Sequence, residues 1–276
     1  MSDPEVGGQL RWDLFGTAQA STLVYLFHGI LGNRGNWRSF ARALVKARPD
    51  LRIAAIDLRN HGDSRGFSGP HDLSACAHDL AGLVPDLGQP QGLIGHSFGG
   101  KVVLEAVRQQ LFPELRTVVT LDTPPGASPQ DVGDDPEVLS VIRALSGVPL
   151  PLPNRTGLIP LLEAQGLPLG IARWMTTNLR ETTEGWTWRF ELEHIPAMIQ
   201  SYFDADYLEL LGEPRTDLEF HLVRAAQSDR WPPSLLSRLN NLPAGAPTQV
   251  HVLENAGHWV HADNPDGLLR ILDAIL

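Results

Sequence analysis

Short apolar runs and helical patterns alternate along this chain, and that alternation is what most restricts its fold. The runs are "STLVYLFHG" (21–29), "LRIAAIDL" (51–58), "QGLIGH" (91–96), "LRTVVTLD" (115–122), "DLEFHLVRAA" (217–226) and "TQVHVLE" (248–254). They are nearly continuous in apolar residues, which is the pattern of strands buried on both faces. Between the first two, "NWRSFARALVKARP" (36–49) sets Trp37, Phe40, Leu44 and Val45 at helical spacing and ends at Pro49. "HDLSACAHDLAGLVPDL" (71–87) reads as a helix that Pro85 bends or ends, and "FGGKVVLEAVRQQL" (98–111) as another. "NPDGLLRILDAIL" (264–276) closes the chain as a helix. Strands that alternate with helices predict an α/β fold with a mostly parallel, doubly wound sheet.

The alternation breaks after residue 122. From 123 to 214 the chain is rich in proline and glycine, then helical and aromatic. We read residues 123–214 as an inserted, mainly helical cap, and residues 1–122 with 215–276 as the core domain. Within the cap, "GWTWRFEL" alternates Trp186, Trp188, Phe190 and Leu192, so one face of an extended segment is apolar. Packing of the cap onto the core explains this better than a substrate wall does.

Composition narrows the function. The 276 residues carry 22 basic and 32 acidic side chains, a formal charge of -10, which disfavours nucleic acid and anionic membranes as partners. No apolar run is long enough for membrane insertion, and "MSDPEVGGQL" shows no secretory signal, so a cytoplasmic location is expected. The one cysteine, Cys76, reads as a small buried apolar side chain.

Residues 92–107 read "GLIGHSFGGKVVLEAV", a strand, a tight turn and a helix. Gly95-His96-Ser97-Phe98-Gly99 fits G-x-S-x-G in the context this pattern requires. Such a turn strains the serine backbone and lifts its hydroxyl above the sheet, and the following helix aims its first amides at the same point. Ser97 is therefore a candidate nucleophile, with a helix-capping serine as the competing reading. A serine hydroxyl needs a base. His96 adjoins Ser97 in the chain, and its side chain is expected to point away. His258, in "ENAGHWVHADNP" after the last strand, belongs at the same sheet edge as Ser97 and is the candidate base, with His261 second and read as structural. A metal site from His258, His261 and Asp263 lacks a recognised ligand pattern, and no metal is expected. The amide of Phe98 is one expected oxyanion donor, and the amide of Ile30, in "FHGILG", the other.

At "HGILGNRGNW", "DLRNHGDS", "GHSFGGKVV" and "NAGHWVHADNP" the chain resembles the α/β-hydrolase superfamily. More narrowly, it is similar to the small bacterial acyl-ester esterases and their mitochondrial abhydrolase-domain relatives. "TTNLRE" and "WTWRFEL" extend the resemblance into the cap. The resemblance implies the α/β-hydrolase fold, esterase or thioesterase activity on a small-molecule acyl substrate, and no cofactor. It leaves two candidates for the acid, since chain order runs serine, acid, histidine. Asp229 follows the penultimate strand, the usual superfamily place, although Ser228 matches the acid position itself. Asp122 follows the strand after the elbow helix, where some of the narrower group carry their acid, and it is preferred. Asp57 and Asp63 precede the serine and are set aside. A cofactor-free perhydrolase, a C–C hydrolase or lyase, and a non-catalytic binding protein are the rival readings.

Overall fold

The computed structural model describes residues 8–128 and 137–276. Residues 1–7, most of the stretch read for a leader, and 129–136, part of the cap insertion, lie outside them. The chain opens with β1 (Arg11–Phe15) and β2 (Thr22–Phe27), followed by α1 (Arg38–Ala47), β3 (Leu51–Asp57), α2 (Leu73–Ala81) and the one-turn α3 (Val84–Leu87). Next come β4 (Gly92–His96), α4 (Phe98–Arg108) and β5 (Thr117–Leu121). The inserted segment holds α5 (Glu137–Ser146), α6 (Leu158–Ala164), α7 (Leu169–Thr176), the hairpin β6 (Leu179–Thr182) and β7 (Gly185–Trp188), α8 (Ile195–Asp204) and α9 (Leu208–Gly212). The core resumes with β8 (Glu219–Ala225), α10 (Pro233–Asn240), β9 (Thr248–Leu253), the short α11 (Val260–Asp263) and α12 (Pro265–Ile275).

Seven strands form one sheet in the order β1-β3-β2-β4-β5-β8-β9, and every pairing is parallel except β1 with β3. The fold is that of an α/β hydrolase. Its central strand β4 is buried at every residue, as its unbroken apolar run requires. Alternate side chains serve opposite faces. Val24 and Leu26 pack with α1 and α12, through Leu44, Leu268 and Leu272. Tyr25 and Phe27 join α2 and α4 on the other face, in a core that continues into the cap through Met175, Trp188 and Met198. Trp188 and Phe190 stack with ring centroids 5.1 Å apart and belong to that core, which is why the alternation in "GWTWRFEL" exists.

Two sequence readings change. β1 has no counterpart among the expected strands. It is a half-buried antiparallel edge, so it lacks the continuous apolar signature of its neighbours. The helix expected over 71–87 is two helices, because α2 ends at Gly82 and Pro85 sits in the first turn of α3.

Buried histidines hold together the loops at the carboxyl edge of the sheet. His28 donates through Nδ1 to the Gly29 carbonyl at 2.7 Å, and its Nε2 accepts from the Leu58 amide at 3.1 Å. His61 donates through Nδ1 to the Arg59 carbonyl at 2.8 Å, and its Nε2 accepts from the Leu31 amide at 3.1 Å. Each ring thus ties the loop after β2 to the loop after β3. Burial keeps both neutral, lowering His28 to about 4 and His61 to about 3. Asp57 completes the tie by pairing with Arg34 and accepting from the Asp63 amide at 3.0 Å. Gly62, at φ +58, crosses the Asp57 carboxylate where a Cβ would lie 2.1 Å from its oxygen, so "NHGDS" admits only glycine there.

The cap is anchored by a lysine. Lys101 of α4 is fully buried, and its ammonium donates to the carbonyls of Gly126, Tyr202 and Ala205 at 2.8, 2.7 and 2.9 Å. Nearby, the Tyr207 hydroxyl donates to Glu105 at 2.9 Å.

Two outcomes follow from these contacts. The unfolded chain binds protons at its histidines near pH 6.5, whereas folded His28 and His61 resist protonation down to about 4 and about 3. Stability is therefore fully present above pH 6.5 and declines as pH falls through that window. Thermal unfolding measured from pH 7 to 4 shows a falling midpoint, with a shallower slope in His61→Gln. Replacing Lys101 by methionine leaves three carbonyls, one buried and two part-buried, without this donor and lowers unfolding free energy by on the order of 2–4 kcal/mol, measured by urea denaturation.

Candidate active site

Ser97 occupies the turn between β4 and α4 with φ 52° and ψ −118°, a conformation that costs an L-residue on the order of 1–3 kcal/mol. Neighbouring glycines make the turn possible. A Cβ on Gly95 would lie 2.1 Å from the Gly99 carbonyl oxygen, and one on Gly99 would lie 2.5 Å from that of His28. Ser97 takes the N-cap position of α4, yet its side chain makes no capping hydrogen bond. A serine present for capping would use its oxygen for that bond. The backbone is held from below instead, by Ser97 N donating to the Leu121 carbonyl and Thr123 Oγ1 donating to that of Ser97, both at 3.0 Å.

His258 lies in the loop between β9 and α11, and its Nδ1 donates to Asp122 Oδ2 at 2.8 Å. Asp122 sits at the end of β5 with φ 45° and is fully buried. Its carboxylate collects further donors: Ser228 Oγ at 2.7 Å on Oδ2, and Trp231 Nε1 at 2.8 Å and the Ala225 amide at 3.2 Å on Oδ1. Burial alone would raise its pKa. The hydrogen bond and charge of His258, with the bonds from Ser228 and Trp231, outweigh burial and hold it below the ordinary 3.8. Asp122 therefore remains ionised beside the imidazole. Asp229 is exposed on the same loop as Ser228. The structure brings Asp122, not Asp229, to His258.

The loop after β2 abuts the elbow. A Cβ on Gly29 would lie 3.1 Å from Ser97 Cβ, so glycine allows the approach. The next residue, Ile30, lines one cavity with Ser97, Phe98 and His258. The Phe98 amide starts α4 and has no intrahelical acceptor, and the Ile30 amide meets no acceptor among the described residues. Leu31 follows at φ 60°, pinned by His61, and the Gly32 amide turns back to the Gly29 carbonyl at 3.0 Å. Both amides thus belong to residues that line the same cavity as Ser97.

The cavity encloses about 130 Å³. Cap residues Val141, Ile171, Ile199 and Phe203 make its far wall apolar. At its rim Trp174 of α7 meets Trp259, beside His258, with ring centroids 4.4 Å apart.

The remaining candidates fall elsewhere. His261 packs against Trp37 with centroids 4.3 Å apart and the rings tilted by 32°, and burial lowers its pKa to about 4. Asp263 accepts from the Gly257 amide at 2.9 Å, and no cluster suited to a metal ion occurs among the described residues. Asp57 pairs with Arg34, in the loop tie described above. His96 does not point out of the site as expected. It lines the cavity, and its Nε2 donates to the His258 carbonyl at 2.8 Å. Adjacency to Ser97 does send its side chain to the other side of the turn, but that side is where the His258 loop packs. Trp231 went unnoticed in the sequence. Ser228 and Trp231 do flank Asp229 in "SDRW", and their donors are the signal that points back to a carboxylate on another strand.

Comparison with known proteins agrees with this architecture. The alpha/beta hydrolase family matches residues 24–271. The chain is 30% identical to the sn-1-specific diacylglycerol lipase ABHD11 of Mus musculus, over 95% of this chain and 83% of that protein. Among solved structures, a marine microorganism esterase superposes with a TM-score of 0.81 at 19% identity, covering 97% of this chain and 99% of that one. The thioesterase domain from the curacin biosynthetic pathway gives 0.69 at 19% identity, covering 95% and 94%. A buried carboxylate–imidazole pair at the carboxyl edge of a parallel sheet, a serine on a strained strand-to-helix turn and these matches lead to one conclusion: the chain belongs to the alpha/beta hydrolase family and has ester hydrolases among its relatives.

Proposed function

We propose that this protein is a serine hydrolase that cleaves carboxylic esters or acyl thioesters of small molecules through an acyl-enzyme on Ser97. The observation that carries this reading is the bond to ionised Asp122 from Nδ1 of His258, which lines one cavity with Ser97. With Nδ1–H spent on Asp122, the neutral ring has its lone pair on Nε2. That nitrogen takes the Ser97 proton as Oγ attacks the acyl carbonyl. The amides of Ile30 and Phe98 hold the tetrahedral oxyanion. The imidazolium then protonates the departing alcohol or thiol, and a water activated by His258 releases the acid. Asp122 stays ionised throughout, holding the tautomer and stabilising the imidazolium.

Residues 123–214 act in this reading as a cap over the site. Its apolar wall suits an apolar acyl group, and the relative named a diacylglycerol lipase fits that preference. Among the described residues no helix is long and apolar enough to cross a membrane, which is compatible with a small-molecule substrate reached from water.

Hydrolysis of p-nitrophenyl esters tests the assignment. Ser97→Ala lowers kcat by at least on the order of 10³-fold and abolishes labelling by a fluorophosphonate probe. Asp122→Asn lowers kcat by roughly 10³–10⁴-fold, whereas Asp229→Asn stays within about twofold of the parent. Equal losses from the two aspartate variants would reject Asp122 as the acid. A panel of esters and thioesters that varies only the acyl part is cleaved faster with apolar than with charged acids. The reverse order would reject an apolar acyl pocket.

A further inference from the structure

The residue before the nucleophile has a task that the triad chemistry leaves unassigned. His96 is 2% exposed and lies between the two loops that must meet over Ser97. On one side Nε2 reaches the carbonyl of His258, 162 positions away in the chain, at 2.8 Å. On the other side Nδ1 faces the loop after β2, where a Cβ on Gly29 would stand 3.0 Å from it. We propose that His96 is a positioning residue, whose Nε2–H clamps the main chain of His258 to the nucleophile elbow. The proposal rests on the serine-hydrolase reading above.

The chemistry of the contact sets the protonation of His96. A carbonyl oxygen only accepts, so His96 presents Nε2–H, and the neutral ring leaves Nδ1 bare. The ring stays neutral because it is buried, and because His258, His261 and Arg230 each disfavour a second positive charge. Its ring centroid is 4.7 Å from that of His258, with Trp37 and His261 each 5.9 Å away. A neutral neighbour matters at that separation. A charged one would oppose the imidazolium that His258 becomes during catalysis.

The clamp also explains how one loop residue holds its orientation. The rest of the His258 loop is fastened at Ala256, whose carbonyl accepts from Gln227, and at Gly257, whose amide donates to Asp263. Asp122 holds the ring of His258, and His96 holds its carbonyl. Loss of the bond to His96 loosens the main chain that carries the ring, so that Nε2 shifts relative to Ser97. A displacement of about 1 Å in a reacting group costs on the order of 10²-fold in rate.

The experiment compares His96→Phe, which keeps an aromatic ring but no donor, with His96→Gln, whose amide nitrogen can stand where Nε2 stood. The Phe variant loses about 10–100-fold in kcat with KM within about twofold. The acid limb of its kcat/KM profile moves to lower pH, since a looser contact with Asp122 stabilises the imidazolium less. Gln recovers most of kcat and returns the limb. A Phe variant as fast as the parent, or a Gln variant as slow as Phe, overturns the proposal. Nitrogen NMR of the unsubstituted protein decides it even where neither variant folds. The proposal requires a proton on His96 Nε2 and none on Nδ1 from pH 6 to 8, and the opposite tautomer or a charged ring overturns it. Failure of the underlying reading is separate: it shows as a Ser97→Ala protein that keeps its activity.

Discussion

At the end of β4 three backbone segments cross with no room for a side-chain carbon between them. Gly95 lies against the Gly99 carbonyl, and Gly99 against that of His28. Everything at the site is referred to that crossing. It drives Ser97 into a left-handed conformation, lifts its hydroxyl off the sheet and leaves the first amide of α4 without an acceptor. It also brings the loop after β2 against the elbow, where Ile30 lines one cavity with Ser97. The strain is tolerable because β4 is buried on both faces and paired on both edges by parallel neighbours.

A second constraint concerns a buried negative charge. Asp122 has left water entirely, which is costly for an isolated carboxylate. Donors from three parts of the chain offset that cost: an imidazole, an indole with a hydroxyl from the loop after β8, and an amide from β8 itself. Shared between both oxygens, they also leave the carboxylate one orientation. Ser228, at the position that the resemblance assigns to the usual acid, donates its hydroxyl to Asp122 at the end of β5.

Neutral histidines recur around the site as connectors. His28 and His61 exchange bonds between neighbouring loops, and His96 reaches the loop of His258. In each, one nitrogen–hydrogen bond serves a carbonyl. In His28 and His61 the second nitrogen accepts an amide. An imidazole is suited to this work because it both donates and accepts within one rigid ring, so it can join two backbones that cannot pair directly. Lys101 performs a related task for the cap, where its ammonium gathers three carbonyls that converge from different turns.

Legibility followed the range of the interaction. The order of core strands and helices, and the serine turn, could be read directly, because burial on both faces and the need for glycine are written in adjacent residues. The histidine loop and the Ile30 loop could be read once the sheet was known to be parallel, since all its βα loops then gather at one edge. β1 was hidden because an edge strand with half-buried residues carries too little apolar signal. The preference for Asp122 over Asp229 comes from the resemblance and not from pattern, since both follow strands and both precede the histidine. Pattern does not show the bend at Asp122 or the donors that gather on its carboxylate from Ser228, Trp231 and His258, residues more than 100 positions further along. His96 was misread for the same reason. Local chain direction shows where a side chain leaves the backbone, but only the packed loops decide what it meets.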